Sequence, residues 1–128
     1  MSGLTALTAA ACLDDQLGTT ARTAPTTPMK LSVETVAGTT SAAGTELGST
    51  TRPTIAFGAA TGTPPVASST GTTNVTAGAS GTVVAVAIYD SAGTPIRKAW
   101  GALTTSRAVV TSDVLAFAAA SVTLSITS

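Results

Sequence analysis

Hydroxyl side chains are the most abundant reactive groups in this chain, but the sequence supplies no group that would activate them. Ser and Thr act as nucleophiles only beside a base that accepts their proton. The sequence contains no His, and Lys30 and Lys98 are its only side-chain amines. We therefore predict no Ser or Thr nucleophile.

The carboxylates are also poorly spaced for acid–base chemistry. Glycoside hydrolysis needs two carboxyl groups about 5–10 Å apart. Four of the six acidic residues fall singly in separate segments: Glu34, Glu46, Asp90 and Asp113. The other two, Asp14 and Asp15, are neighbours, and neighbouring side chains on a helix point about 100° apart. Asp90 begins a turn, where we expect its carboxylate to cap backbone N–H groups. The sequence therefore predicts no catalytic residues and a protein that is not an enzyme.

Metal and cofactor sites are not predicted either. Without His there is no Cys/His spacing of a zinc site, and Cys12, the only cysteine, has no partner for an intrachain disulfide. The glycine-containing turns lack the Lys of a phosphate loop and the spacing of a dinucleotide-binding loop. We expect Cys12 to be a small apolar residue on a helix face, the alternative being a reactive thiol.

Tyr89 and Trp100 form one further candidate site. They lie on opposite arms of a hairpin predicted over Gly81–Ser106, in which a turn at Asp90–Pro95 separates two apolar arms. Cross-strand aromatic pairs hold hairpins together, whereas exposed rings on a sheet can stack on sugars. Both roles stay open at this point: packing in the hairpin core or an interface, or contact with a carbohydrate.

The charge content argues against two classes of partner. The 128 residues carry six basic and six acidic side chains, a net charge of zero. Such a chain has no field to attract nucleic acid or an anionic membrane surface. Only 9% of the residues are charged, so Ser and Thr supply a polar surface that resists self-association poorly. We expect that copies of the chain or other subunits cover this surface, the alternative being compositional drift toward Ala, Thr and Gly.

The start of the chain lacks the pattern of a secretion signal, and no apolar run approaches the about 18 residues of a membrane span. We therefore expect a soluble protein that is not exported by a signal peptide and has no transmembrane segment.

One helix is predicted at the N-terminus. Two sets of apolar residues recur at helical spacing over Ser2–Leu17, namely Leu4, Leu7 and Ala11, and Ala6, Ala10, Leu13 and Leu17. Gly18 suits a helix C-cap. The predicted organisation is an N-terminal helix in residues 1–18, a linker rich in Pro and Thr in residues 19–28, and a β-domain in residues 29–128. The helix can sit away from the β-domain or pack on a neighbouring subunit.

The β-domain consists of short strands separated by turns rich in Gly, Pro and Thr. Strands are predicted at Met29–Val36, Arg52–Gly58, Asn74–Thr76, Thr82–Tyr89, Ile96–Leu103, Thr104–Ser112, Val114–Phe117 and Ser121–Thr127. Long loops are predicted over Ala37–Thr51 and Ala59–Ser69. The fold prediction is a mainly β protein: an antiparallel β-sandwich of about six to eight short strands with one N-terminal α-helix.

Several segments, in their order and spacing, resemble a family of small bacteriophage virion structural proteins of the tail-fibre, minor tail or capsid-decoration type. They are Leu13–Gly18, Arg52–Ala60, Gly81–Asp90, Trp100–Leu103 and Val114–Thr127. The chain departs from the family pattern at Lys30–Thr35 and at Gly48–Arg52. The resemblance covers most of the chain and adds no catalytic residue.

The resemblance implies a non-enzymatic subunit on the exterior of a phage particle, assembled in the host cytoplasm. Its partners would be copies of itself, with a trimer as the expected oligomer, and other tail or capsid proteins. We expect the N-terminal helix to be the assembly or docking element, through Leu4, Leu7, Ala11, Leu13 and Leu17. The alternative function is a carbohydrate-binding module that recognises a host cell-surface glycan through Tyr89 and Trp100.

Overall fold

The described part of the chain folds into ten β-strands and one α-helix. The computed structural model describes residues 2–20 and 24–125. The elements, in chain order, are β1 (Ser2–Leu4), α1 (Ala6–Leu17), β2 (Met29–Val36), β3 (Thr45–Glu46), β4 (Thr54–Phe57), β5 (Val66–Thr70), β6 (Thr73–Thr76), β7 (Gly81–Tyr89), β8 (Arg97–Val109), β9 (Val114–Phe117) and β10 (Thr123–Ser125).

All strand pairs are antiparallel, and they form two sheets. The larger sheet has eight strands in the order β1-β8-β7-β2-β4-β5-β10, with β3 added beside β2. The smaller sheet is the pair β6–β9. The larger sheet curls toward a barrel but stays open, because β1 and β10 stand at its two ends. The predicted mainly β, antiparallel architecture with one N-terminal helix is therefore confirmed.

Both sheets contribute to one apolar cluster. Leu31 and Val33 of β2 face Ile88 and Val86 of β7 across the ladder, and the buried residues Val75 and Leu115 of the small sheet belong to the same cluster. The strands of this cluster show the period-two pattern that puts alternate residues on one face. The cluster draws on side chains from across the β-domain, so its strands stabilise one another.

The helix is shorter than the prediction of Ser2–Leu17. Ser2–Leu4 form a strand whose Leu4 lies opposite Ala99 of β8, and α1 begins at Ala6. Thr5 is the N-cap, with extended backbone and a side-chain oxygen that accepts a hydrogen bond from the N–H of Thr8. The helix cannot extend before this cap, because pairing with β8 and partial burial of Leu4 stabilise the extended form. Gly18 is the predicted C-cap, at φ 68°.

The segment predicted as a linker is partly attached to the β-domain. The carbonyl oxygen of Thr26 accepts a hydrogen bond from the N–H of Ser91 at 2.9 Å, and that of Pro28 accepts one from the Ser91 hydroxyl. Residues 21–23 of this segment lie outside the described residues. The chain between α1 and β2 is therefore held at its C-terminal end.

The strand count exceeds the predicted six to eight. Three strands, β1, β3 and β5, lie in segments predicted as helix or loop. Ser69 holds β5 in place through three hydrogen bonds. Its N–H donates to the carbonyl oxygen of Val122, its own carbonyl oxygen accepts from the N–H of Ala120, and its hydroxyl oxygen accepts from the N–H of Val122. Such pairing depends on residues far away in sequence, so the local pattern did not indicate it.

Two predicted strands are in fact one. Ile96–Leu103 and Thr104–Ser112 correspond to the 13-residue β8, which pairs with β7 on both sides of a large bulge. Val83 pairs with Arg107 and Ala85 with Ala102, so four residues, Leu103–Ser106, stand opposite Val84 alone. The last strand is shorter than Ser121–Thr127 within the described residues, and Ile126 and Thr127 lie outside them.

Leu31→Ala should lower the free energy of unfolding by about 2–5 kcal/mol, because the side chain is fully buried and its removal leaves a cavity. The matched control is Leu13→Ala on α1, where the side chain is 62% exposed and the change should stay within about 0.5 kcal/mol. Urea unfolding followed by circular dichroism measures both. Equal losses in the two variants would contradict this assignment of the core.

Candidate functional site

The helix α1 carries two apolar stripes on different faces. Leu7 and Ala11 line a cavity above the β-domain together with Leu4 of β1, and Leu7 is nevertheless 63% exposed. At about 100° per residue, Leu13 and Leu17 point to the opposite side together with Ala6 and Ala10. The side chains of Leu13 and Leu17 are 62% and 73% exposed, respectively, and no residue of α1 is buried. The structure therefore divides the five predicted docking residues into an inner and an outer stripe.

The helix is held mainly at its N-terminus. The N–H of Thr5 donates to Lys98 O and its hydroxyl to Arg97 O, both at 3.0 Å, and the N–H of Ala6 donates to Thr40 O at 3.1 Å. Beyond this point α1 lies over a cavity of about 870 Å³, whose floor includes Phe57, Ile88 and Leu124. The rest of the helix thus projects without packing tightly on its own β-domain.

Tyr89 and Trp100 lie on the face of the sheet opposite the main core. Each residue is only 8% exposed, and the two rings form a cluster with Ala87 of β7. The guanidinium carbon of Arg52 lies 3.6 Å from the centroid of the Tyr89 ring. Burial also raises the pKa of the Tyr89 hydroxyl. Neither ring presents the open platform that a sugar would need.

A partly buried polar cluster covers the same face and was not found from sequence. It consists of Ser32 and Glu34 of β2, Glu46 of β3, Arg52 and Arg97. Glu34 is fully buried, and its Oε2 accepts a hydrogen bond from the N–H of Gly38 at 3.2 Å. Arg52 binds Glu46 with two hydrogen bonds of 2.7 and 2.8 Å. The loop between β2 and β4 is therefore tied down over the sheet by charged groups.

The two glutamates of this cluster titrate in opposite directions. Burial raises the pKa of Glu34 above its ordinary value of 4.5, although the neighbouring Gly38 N–H and Arg97 oppose the shift. The hydrogen bond from Arg52 lowers the pKa of Glu46. Among the described residues, Glu34 Oε1, Arg97 Nη1 and Trp100 Nε1 are buried without a hydrogen-bond partner. Some polar atoms of the cluster therefore lack a hydrogen-bond partner.

Two carboxyl groups with pKa values moved apart can serve as acid and base. Glu34 and Glu46 lie opposite each other on β2 and β3, a pairing that the sequence spacing did not reveal. Neither of them lines the cavity beneath α1, and Glu34 is fully buried. Glu46 is exposed, but Glu34 is shielded from any substrate.

The remaining candidates stay apart from this cluster. Asp90 is buried and caps its turn as predicted, accepting hydrogen bonds from the N–H groups of Ala92 and Ile96 at 3.3 and 2.8 Å. Cys12 is exposed on α1. Within residues 2–20 and 24–125, no group of three or more His, Cys, Asp or Glu side chains could hold a metal ion. The same residues include no helix long and apolar enough to cross a membrane.

The opposite pKa shifts predict two separate windows of pH-dependent stability. The free energy of unfolding should fall as pH rises from about 4.5 through the raised pKa of Glu34, because the folded state holds that proton longer than the unfolded chain. Below about 4.5 it should fall again as pH drops through the lowered pKa of Glu46, whose bond to Arg52 is then lost.

Urea unfolding between pH 3 and pH 8 measures both windows. Glu34→Gln should flatten the upper one and Glu46→Gln the lower one, each leaving the other in place. Asp14→Asn, at an exposed helix position, is the control and should change neither window. An unchanged upper window in Glu34→Gln would contradict this assignment.

Comparison with known proteins identifies the family. Residues 3–125 match the model of the family Gp80, described as "Podophage GP4 fiber I protein gp80". No curated protein and no solved structure matches the chain. The match spans nearly all of the 128 residues, including α1 and both sheets. The chain therefore belongs to the Gp80 family of podophage fibre proteins, a family of phage tail-fibre structural proteins located in the virion.

Proposed function

We propose that this chain is a non-enzymatic structural subunit on the exterior of a phage particle. It acts by assembling with copies of itself and by docking to other virion proteins at a tail-fibre position. The observation that carries this proposal is the outer stripe of α1. Within residues 2–20 and 24–125, no residue of α1 is buried and its backbone hydrogen bonds to the β-domain lie at its N-terminus, which leaves an apolar face available for another subunit.

The outer stripe suits docking because its residues are apolar and already exposed. Covering a Leu side chain completely stabilises a contact by roughly 1.5–3 kcal/mol. Leu13 and Leu17 stand one helical turn apart, so one groove on a partner can take both. The inner stripe differs in lining the cavity above the β-domain, although Leu7 is as exposed as Leu13. We therefore assign docking to Leu13 and Leu17 and orientation to Leu4, Leu7 and Ala11.

A non-enzymatic role follows from where the charged groups lie. The Glu34 and Glu46 carboxyl groups serve to hold the loop after β2 against the sheet. Tyr89 and Trp100 have a packing role, because each ring is nearly covered. The burial of these two rings does not support glycan binding through them.

Self-assembly is supported by the composition of the surface. With 9% charged residues, the surface lacks the like-charge repulsion that keeps most small proteins apart. We propose a closed ring of three copies. A ring uses two different complementary surfaces on each subunit.

Leu13→Lys and Leu17→Lys, singly or together, should abolish incorporation into phage particles without changing the melting temperature. Both side chains are exposed, so a charge costs the fold nothing but cannot enter an apolar groove. Immunoblots of purified particles measure incorporation, and circular dichroism measures melting. Gln16→Lys adds the same charge at an exposed polar position of the same helix and should incorporate normally. Normal incorporation of the double variant would overturn the docking assignment.

The purified chain should sediment as a trimer at high micromolar concentration. Because the surface is nearly uncharged, the association should depend only weakly on salt between 50 and 500 mM. Analytical ultracentrifugation measures the mass directly. A monodisperse monomer at these concentrations would rule out self-assembly of the isolated chain.

A further inference from the structure

The start of α1 is held from two different parts of the β-domain. Thr5, the buried N-cap, donates its N–H to Lys98 O and its hydroxyl to Arg97 O, both at 3.0 Å. The next residue, Ala6, donates its N–H to Thr40 O at 3.1 Å. The acceptors of Thr5 lie in β8, whereas Thr40 lies in the loop between β2 and β3. The N-terminus of α1 therefore bridges a strand and a loop.

These bonds have different effects on the direction of α1. Both bonds of Thr5 start from one residue and end on one strand, so they fix a point about which the helix can turn. In the described part of the chain no residue of α1 is buried, and the helix lies over a cavity of about 870 Å³. The packing of the inner stripe thus needs a second constraint to fix one direction. The bond of Ala6 to Thr40 supplies it, because it ends on a separate element.

Glu34 and Arg97 fix the base of the β2–β3 loop, which spans residues 37–44. The N–H of Gly38 donates to Oε2 of the fully buried Glu34 at 3.2 Å. The guanidinium of Arg97 donates to the carbonyl oxygen of Thr39. A hydrogen bond from a charged group is stronger than one between neutral groups. The partly buried polar cluster therefore holds this loop in place.

The tip of the β2–β3 loop is closed by its own hydrogen bonds. The N–H of Thr39 donates to Ala42 O at 2.8 Å, and the N–H of Ala42 donates to the Thr39 hydroxyl at 3.1 Å. Thr40 lies within this turn, directly after the residue whose carbonyl Arg97 holds. The carbonyl oxygen of Thr40 thus has a defined place from which it accepts the Ala6 N–H.

We propose that the β2–β3 loop sets the direction of α1 and thereby places the outer stripe, Leu13 and Leu17, for docking. Glu34 and Arg97 are then positioning residues, which act on the helix through the loop. The inference rests on the proposed docking through α1, and it gives the partly buried polar cluster a part in that docking.

Ala6→Pro removes the bond to Thr40 and leaves the helix intact. Pro suits the first helical position, and the preceding Thr5 already has the extended backbone that a Pro requires, at φ −68° and ψ 156°. Ala6 is also exposed. The fraction of molecules with α1 in its fixed direction should fall about 3- to 10-fold, as expected for the loss of one hydrogen bond. Ala6→Ser keeps the N–H and is the matched control.

Trp100 and Cys12, the only Trp and the only Cys of the chain, allow this direction to be measured. Cys12 is exposed on α1 and can carry an acceptor dye, and the buried Trp100 is a donor fixed in β8. Time-resolved energy transfer should give one narrow distance in the unmodified chain and in Ala6→Ser. In Ala6→Pro this narrow component should fall by the same 3- to 10-fold (about one hydrogen bond) and a broad one should replace it. One narrow distance in all three chains would overturn the inference.

Arg97→Met tests the loop side of the contact. It removes the donor to Thr39 O and keeps the backbone carbonyl that accepts from Thr5. The narrow component should fall here too. The double variant with Ala6→Pro should show no further loss, because the loop no longer reaches the helix once that bond is absent. Arg107→Met, the same change at an exposed position of β8, is the control. Independent, additive losses in the double variant would contradict a route through the loop.

Incorporation into phage particles separates this inference from the proposed function. Ala6→Pro should incorporate less well than Ala6→Ser, in step with its narrow component. If the narrow component falls and incorporation stays normal, the link between helix direction and docking is overturned. If the double variant of Leu13→Lys and Leu17→Lys incorporates normally, docking through the outer stripe is overturned, and the energy-transfer result still decides whether the loop directs α1.

Discussion

The backbone ladder that joins β2, β7 and β8 is the interaction on which the rest of the structure depends. Five residue pairs connect β2 to β7, and eight connect β7 to β8. Both faces of this ladder are buried: Leu31 and Val33 point to the main core, whereas Ser32 and Glu34 lie beneath the loop after β2. Loss of this ladder would expose an apolar cluster and a charged cluster together, which makes it the cooperative unit of the fold.

The burial of the face that carries Ser32 and Glu34 explains why two residues of the loop after β2 are glycines. A Cβ on Gly44 would lie 2.2 Å from the carbonyl oxygen of Val36 and 2.5 Å from Glu34 Oε2. A Cβ on Gly38 would lie 2.5 Å from Arg97 Nη1. The backbone thus approaches the charged cluster too closely for any side chain. The charged side chains of this cluster hold the loop after β2 in place. Because they serve this purpose, fewer charged groups remain on the outer surface.

The surfaces available for assembly are the parts that the ladder does not use. The eight-stranded sheet ends in two three-residue strands, and in the described part of the chain the backbone hydrogen bonds from α1 to the β-domain come from Thr5 and Ala6. Sheet edges and unpartnered helices are hazards for a monomer, because they promote nonspecific association. In a subunit of a fibre they are the features by which copies and neighbouring proteins can meet. This accords with a family of phage structural proteins.

Much of the architecture follows from local pattern. Alternation in Met29–Val36 and the β-branched run ending at Tyr89 predict strands correctly, and the spacing of Leu13 and Leu17 with Gly18 predicts the helix. The absence of His and the scarcity of charge likewise come directly from the sequence and limit the chemistry available. These features depend on neighbours within a few residues along the chain, so a sequence displays them.

Only the tertiary structure decided which face of each element is covered. The sequence places Lys30, Ser32 and Glu34 together on one face of β2, and nothing in that alternation indicates that the loop after β2 folds back and buries two of the three. The strand at Ser2–Leu4 depends on β8, nearly 100 residues away, and the bulge at Leu103–Ser106 depends on register with β7. The same holds for the outer stripe of α1. Partners separated by long stretches of chain meet only in the folded molecule, so the local sequence pattern does not indicate them.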